Sequence, residues 1–160
     1  MAKKVCLYGI LSALCIVFGF VEHLVSLDFI APGVKLGLAN SVALILIALG
    51  DIKGAFAVNI VRILLSGMLF SSPYALIFSL SGGVFSMCVM TVAVKCRSIG
   101  FIGVSIVGAV AHNFAQLICA SVTLGAGVWY YSAILLFSAL FCGIITGTMS
   151  KLVFKKLNIK

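Results

Sequence analysis

An arginine stands in the middle of an otherwise apolar run. The run extends from Gly54 to Phe70, GAFAVNIVRILLSGMLF, and is near the short end of the roughly 17–25 residues that a membrane-crossing helix needs. Arg62 at its centre would cost about 2.5–3.5 kcal/mol against lipid on insertion scales. A helix carrying it must turn that residue toward protein, water or a ligand, which constrains how the other helices are placed. Asn59, Arg62 and Ser66 fall on one helical face, and the rest of the run is apolar. Two readings of Arg62 stand side by side: a clamp on neighbouring carbonyls or on Glu22, and a contact for a ligand.

The rest of the chain repeats this pattern of apolar runs with short charged flanks. Of 160 residues, 64% are hydrophobic and 9% charged, where a soluble domain carries about 25% charged residues. An integral membrane protein is expected, with residues 1–160 forming a single domain. The net charge of +8 resembles a nucleic-acid signal until the charges are placed. They lie in the flanks between apolar runs, which makes them a topology signal and argues against a nucleic-acid partner. The first run follows Lys3 and Lys4 and continues through Phe18-Gly19-Phe20 without a small-residue cleavage site, so a retained span is expected rather than a signal peptide. Cys6, Cys15, Cys88, Cys96, Cys119 and Cys142 lie within or at the ends of apolar runs, with neither C-x-x-C pairs nor metal-ligand spacing. They read as small apolar core residues. Neither a metal nor another cofactor is expected.

Six membrane-spanning helices are predicted, over Val5–Val25, Leu36–Leu49, Gly54–Phe70, Tyr74–Val94, Ile99–Leu124 and Val128–Phe154. The second is short, and residues Ile30–Val34 are expected to extend it partly into the membrane. The connections at Gly50–Lys53, Ser71–Pro73 and Gly125–Gly127 are tight, so consecutive helices should pack as antiparallel neighbours. With the N-terminus inside, the cytoplasmic side receives Lys3, Lys4, Lys53, Lys95, Arg97, Lys151, Lys155, Lys156 and Lys160. The opposite side receives only Lys35. Nine against one predicts that both termini are cytoplasmic, and Trp129, Tyr130 and Tyr131 then fall at the outer interface. Small residues recur four apart at Gly9/Ala13, Ser79/Gly83, Gly82/Ser86 and Gly143/Gly147, spacing that lets helix backbones approach closely. Most of these pairs suit packing within the bundle; the Gly9/Ala13 pair equally suits docking of another membrane subunit.

A second polar group lies on the fifth predicted span, GAVAHNFAQ from Gly108 to Gln116. His112, Asn113 and Gln116 share one broad helical face. Asn40 lies near the outer end of the second span with Lys35 just above it. Together with Asn59 and Arg62 these residues are expected to converge on one cavity in the outer half of the membrane, rich in donors and suited to an anionic or carbonyl-rich ligand. Glu22 sits at a depth from which it can pair with Arg62 and make that site less cationic. The segment SLDFIAPGVK, Ser26–Lys35, reads either as a lid over the cavity or as an ordinary connector.

Three stretches resemble a family of small bacterial membrane proteins, the Gx transporters, also called heptaprenyl diphosphate synthase component I. They are Pro32-Gly33-Val34-Lys35-Leu36-Gly37-Leu38-Ala39-Asn40, the pair Asn59 and Arg62, and Gly108 through Gln116. The resemblance covers nearly the whole chain, and the family in turn looks like the S components of energy-coupling-factor transporters. It implies a compact all-α bundle of six transmembrane helices in the bacterial cytoplasmic membrane. It further implies a small-molecule substrate held near the outer face, and an energy-coupling transmembrane subunit with two ATPases as partner. Gly9 and Ala13 would then form the docking face, although the S components carry alanines there. The synthase name is harder to reconcile with the residues. Prenyl transfer needs clustered aspartates to hold Mg²⁺-diphosphate, and this chain has two, Asp28 and Asp51, on opposite sides in the predicted topology. Neither a catalytic residue nor a Walker A motif is present. The expected function is therefore substrate binding for a transporter. A non-catalytic membrane subunit of isoprenoid or quinone synthesis is the alternative.

Overall fold

The structure, a computed structural model, describes residues 2–24, 37–96 and 98–156, apart from the side chains of Ala2 and His23. The described residues form helices and turns throughout. In chain order these are α1 (Ala2–Leu24), α2 (Leu38–Ala48), α3 (Ile52–Phe70), α4 (Pro73–Ala93), α5 (Phe101–Leu124), a 3-10 helix (Ala126–Tyr131) and α6 (Ser132–Lys156). Five helical stretches are long and apolar enough to cross a membrane, and α2, with 11 residues, is not. At 1.5 Å per residue it is about 16 Å long, half of a hydrocarbon core roughly 30 Å thick.

Local chemistry sets the helix ends. Asp51 caps α3 by accepting from the Gly54 N–H at 3.1 Å, and the Ser72 hydroxyl accepts from Ala75 at 3.3 Å ahead of Pro73 in the first turn of α4. Gly125, at φ 90°, ends α5 in a conformation that side chains avoid. The expected start of the last helix at Val128 gives way to 3-10 turns over Ala126–Tyr131, and α6 begins only at Ser132. Gly125 and Gly127 interrupt regular helix there, and tighter turns carry Trp129 and Tyr130 outward.

Side-chain contacts give the directions. The Tyr8 hydroxyl donates to the Asp51 carboxylate at one end of α1 and α3, and Phe20 meets Phe70 at the other, with ring centroids 5.4 Å apart. These two helices therefore run parallel. Phe101 meets Phe154 at 4.9 Å, so α5 begins where α6 ends. The start of α1, the α2–α3 turn, the start of α5 and the end of α6 thus share one end of the bundle.

The shortest helix is the innermost. α2 touches α1, α3, α4, α5 and α6, and buries Ala39, Val42, Ala43, Leu44, Leu46 and Ile47. The long helices surround it and turn their other faces outward. Close backbone approach makes this possible. A Cβ at Gly143 or Gly147 would lie 2.7 Å from the Cα of Ile106 or Ile102, and one at Gly82 would lie 2.9 Å from the His112 carbonyl oxygen. Gly9 is the exception: it is exposed with Ala13 on the outer face of α1, and a Cβ there would meet nothing within 4 Å. The cysteines divide as well. Cys15 and Cys142 are buried, whereas Cys6, Cys88 and Cys96 are exposed and Cys119 is half-buried. Three of the six therefore depart from the core placement expected, because lipid solvates an apolar thiol on an outer helix face as readily as the interior does.

Candidate functional site

The amino end of α2 lies inside the bundle. The Cys15 thiol, two-thirds of the way along α1, is 3.8 Å from the Ala39 carbonyl oxygen, and a Cβ on Gly37 would lie 3.7 Å from Thr146, near the middle of α6. Gly37 turns the chain into α2 at φ 76° and offers no side-chain cap. The cap comes instead from another helix: the Glu22 carboxylate of α1 accepts the Leu38 N–H. A helix amino end carries unsatisfied N–H groups and a partial positive charge, and a buried one needs an anion or an acceptor. Glu22 supplies both.

Arg62 faces the same place from α3. Its Nη2 donates to Asn59 Oδ1 at 2.9 Å, and Asn59, 3% exposed, donates in turn to the Gly83 carbonyl of α4 at 3.3 Å. Asn59 thereby fixes the guanidinium to the α3–α4 contact. The buried Nε of Arg62 has no hydrogen-bond partner among the described residues, and neither has the Ser66 hydroxyl one turn away. A buried guanidinium N–H without an acceptor is costly.

Arg62 opens into a cavity of about 60 Å³ at the centre of the bundle. Glu22, Gly37, Asn40, His112 and Asn113 line it, with a ring of hydroxyls from Ser79, Ser86, Ser105, Ser138 and Thr146. Several of these groups are engaged with one another or with backbone. Ser105 and Thr146 share a hydrogen bond of 2.7 Å, Ser86 donates to the Gly108 carbonyl at 2.8 Å, and Asn113 donates to the Leu135 carbonyl at 2.8 Å. Two apolar grooves adjoin the cavity. One, of about 370 Å³, runs along Phe78, Leu117, Leu124 and Tyr131 and shares Ser79 with it; the other, of about 250 Å³, holds Phe114 and Trp129 and shares Asn113.

The residues singled out from sequence are thus distributed unevenly. Asn40, Arg62, His112 and Asn113 meet at the cavity, and Asn59 stands behind Arg62 as its support. Gln116 departs from expectation: it lines the larger apolar groove, with its Cγ against Gly82. Residues 113 and 116 lie about 60° apart around the helix, enough for one face to serve two spaces. Lys35 and the Ser26–Lys35 segment lie outside the described residues. Glu22 lines the same cavity as Arg62, and of the two arrangements open from sequence this is the less cationic one. The hydroxyl ring was missed. Its members, Ser79 and Ser86 on α4, Ser105 on α5, and Ser138 and Thr146 on α6, carry no periodic signal, and only packing shows that they meet.

Fold and site define a multi-pass helical membrane protein with a polar, charged chamber at its centre. More narrowly, the chain belongs to the heptaprenyl diphosphate synthase component I family, whose sequence profile matches residues 11–153. No curated protein and no solved structure matches it.

Proposed function

We propose that the chain is the substrate-binding membrane component of a transporter, resembling the S components of energy-coupling-factor systems, and that it takes up a small anionic or amphipathic nutrient or precursor. The observation that carries this reading is Arg62: fixed by Asn59, buried at Nε without a partner, and turned into a polar chamber in mid-bundle. An intramembrane cation in such a setting is a functional group by default. The chamber fits the anionic head of a ligand, while Asn40, His112 and Asn113 offer further polar contacts. An apolar remainder would lie in the grooves beside Ser79 and Asn113. Transport driven by ATP requires partners, and the exposed Gly9/Ala13 face of α1 is the surface proposed to meet an energy-coupling transmembrane subunit with its two ATPases. The membrane is the bacterial cytoplasmic membrane, with the lysine-rich end inside.

The family description favours a second reading, a non-catalytic membrane subunit of isoprenoid or quinone synthesis. Neither reading assigns catalysis to this chain. Mild purification followed by mass spectrometry of co-purifying small molecules separates the readings. For the transporter reading, wild-type protein retains an anionic compound, Arg62→Lys weakens retention by about tenfold or more through loss of the planar fork, and Arg62→Gln abolishes it in a folded protein. Recovery of a soluble prenyl synthase with the chain, and of the same small molecules from wild type and Arg62→Gln, would favour the second reading.

A further inference from the structure

The chamber already contains an anion. Glu22 reaches from α1 to the Leu38 N–H at the amino end of α2, beside a guanidinium whose Nε lacks an acceptor. Both are groups that a carboxylate or phosphate oxygen would seek in the chamber, a helix amino end and an arginine. We propose that Glu22 is a resident stand-in for the ligand's anion: an incoming oxyanion takes its place at α2 and Arg62, and Glu22 takes up one proton as it is displaced. The inference rests on the reading of Arg62 as a ligand contact and adds the coupling to protons.

Charge balance in a low-dielectric interior drives the exchange. Among the described residues, an ionised Glu22 and a charged Arg62 balance one another in the chamber. Adding a second negative charge would leave one of the two without a counter-ion, which is costly away from water. Protonating the displaced carboxylate keeps the balance: one anion and one proton enter together, and the glutamic acid retains a hydroxyl to donate to a neighbouring acceptor. The other titratable groups facing Glu22 do not substitute for this step. Arg62 on α3 stays charged. Cys15 on α1 and Cys142 on α6 are neutral thiols that gain nothing by binding a proton, and α2 presents only Asn40. Among the described residues, His112 on α5, across the chamber, is the alternative proton acceptor, and it is included in the test.

Methanesulfonate is a suitable probe, since it carries one negative charge and does not titrate between pH 5 and 8. Its affinity for detergent-purified protein is read from the rise in melting temperature with concentration, and proton uptake from an indicator dye in weak buffer. Wild type should bind methanesulfonate more tightly as pH falls, by up to about tenfold per pH unit for one coupled proton, and take up close to one proton per bound anion. Glu22→Gln should bind with the same affinity at both ends of that range and without proton uptake. His112→Gln, which removes a polar contact of the chamber, should bind more weakly but keep the pH dependence and the uptake of one proton per bound anion. Arg62→Gln, which tests the underlying reading, should not bind. Methanesulfonate affinity in wild type that is independent of pH, with no proton uptake, overturns the coupling while leaving Arg62 as a ligand contact. Loss of uptake in His112→Gln at saturating anion instead assigns the proton to the histidine and also overturns it. Absence of methanesulfonate binding in all four proteins overturns both readings. If Glu22→Gln fails to fold, the dye measurement on wild type and His112→Gln still decides.

Discussion

Arg62 is legible in the sequence because an apolar run leaves a charge nowhere to hide. Its partners are less so. The i, i+3 spacing puts Asn59 on the face of Arg62, and the structure turns that spacing into a 2.9 Å hydrogen bond. What spacing does not give is which neighbouring helix completes the arrangement, and the Asn59–Gly83 bond depends on α4 passing within reach. At the opposite end of α3, a single pair ties two helices together. The Tyr8 hydroxyl and then the Gly54 N–H hold the Asp51 carboxyl below the usual carboxylate range, with a smaller push from Lys4 and partial desolvation acting against them. A carboxyl depressed in the folded state adds stability above its unfolded pKa, and that stability is lost as pH falls through the depressed value. Tyr8→Phe removes the largest of these influences. The melting temperature of Tyr8→Phe should therefore lie below that of wild type at neutral pH, and the gap should close as pH drops below about 4, the ordinary carboxylate value. A gap that persists unchanged into acid would show that the tyrosine acts by packing alone.

At the scale of elements, α2 separates what hydropathy reads from what it does not. Its apolar character and short length are plain in the sequence, yet both would suit a peripheral helix equally well. Hydropathy does not tell lipid from protein, since both are apolar, so burial of α2 against five neighbours becomes visible only in the packing. The small-residue pairs show the same limit. Gly9/Ala13 and Gly143/Gly147 are alike as strings, but the second meets the backbone of α5 and the first meets nothing. Their alanine variants should therefore diverge. Gly147→Ala places its Cβ 2.7 Å from the Ile102 Cα, and overpacking against backbone costs about 1–3 kcal/mol. Gly9→Ala enters open space on an exposed helix face, where alanine is favoured over glycine by about 0.5–1 kcal/mol. Thermal melting in detergent should place Gly147→Ala below wild type and Gly9→Ala at or slightly above it. Equal melting of Gly147→Ala and wild type would mean that α5 and α6 are farther apart than the structure has them.

Among the described residues the lysines gather at one end of the bundle, a grouping that charge counting along the sequence predicts because it needs no tertiary information. The contacts of Tyr8 with Asp51 and of Phe101 with Phe154 gather four chain segments at one end of the bundle, and Lys3, Lys4, Lys53, Lys95, Lys151, Lys155 and Lys156 belong to those segments. α1 and α3 run parallel, so the chain must return between Leu24 and Asp51. α2 supplies only about half of that return, which is why its amino end, with its unsatisfied N–H groups, comes to lie in mid-bundle. The half-helix and the lysine asymmetry are therefore linked consequences of one path. The lysine-rich end is predicted to face the cytoplasm. Green fluorescent protein fused after Lys160 should fluoresce, and alkaline phosphatase fused there should be inactive. The same phosphatase inserted at Gly127, at the opposite end, should be active. Partial loss of the positive charge is informative as well: replacing Lys151, Lys155 and Lys156 by glutamine leaves Lys3, Lys4, Lys53 and Lys95 in place, so orientation should hold and the reporters keep their pattern. An active phosphatase after Lys160 in the unmodified chain would overturn the assignment and place the lysine-rich end outside.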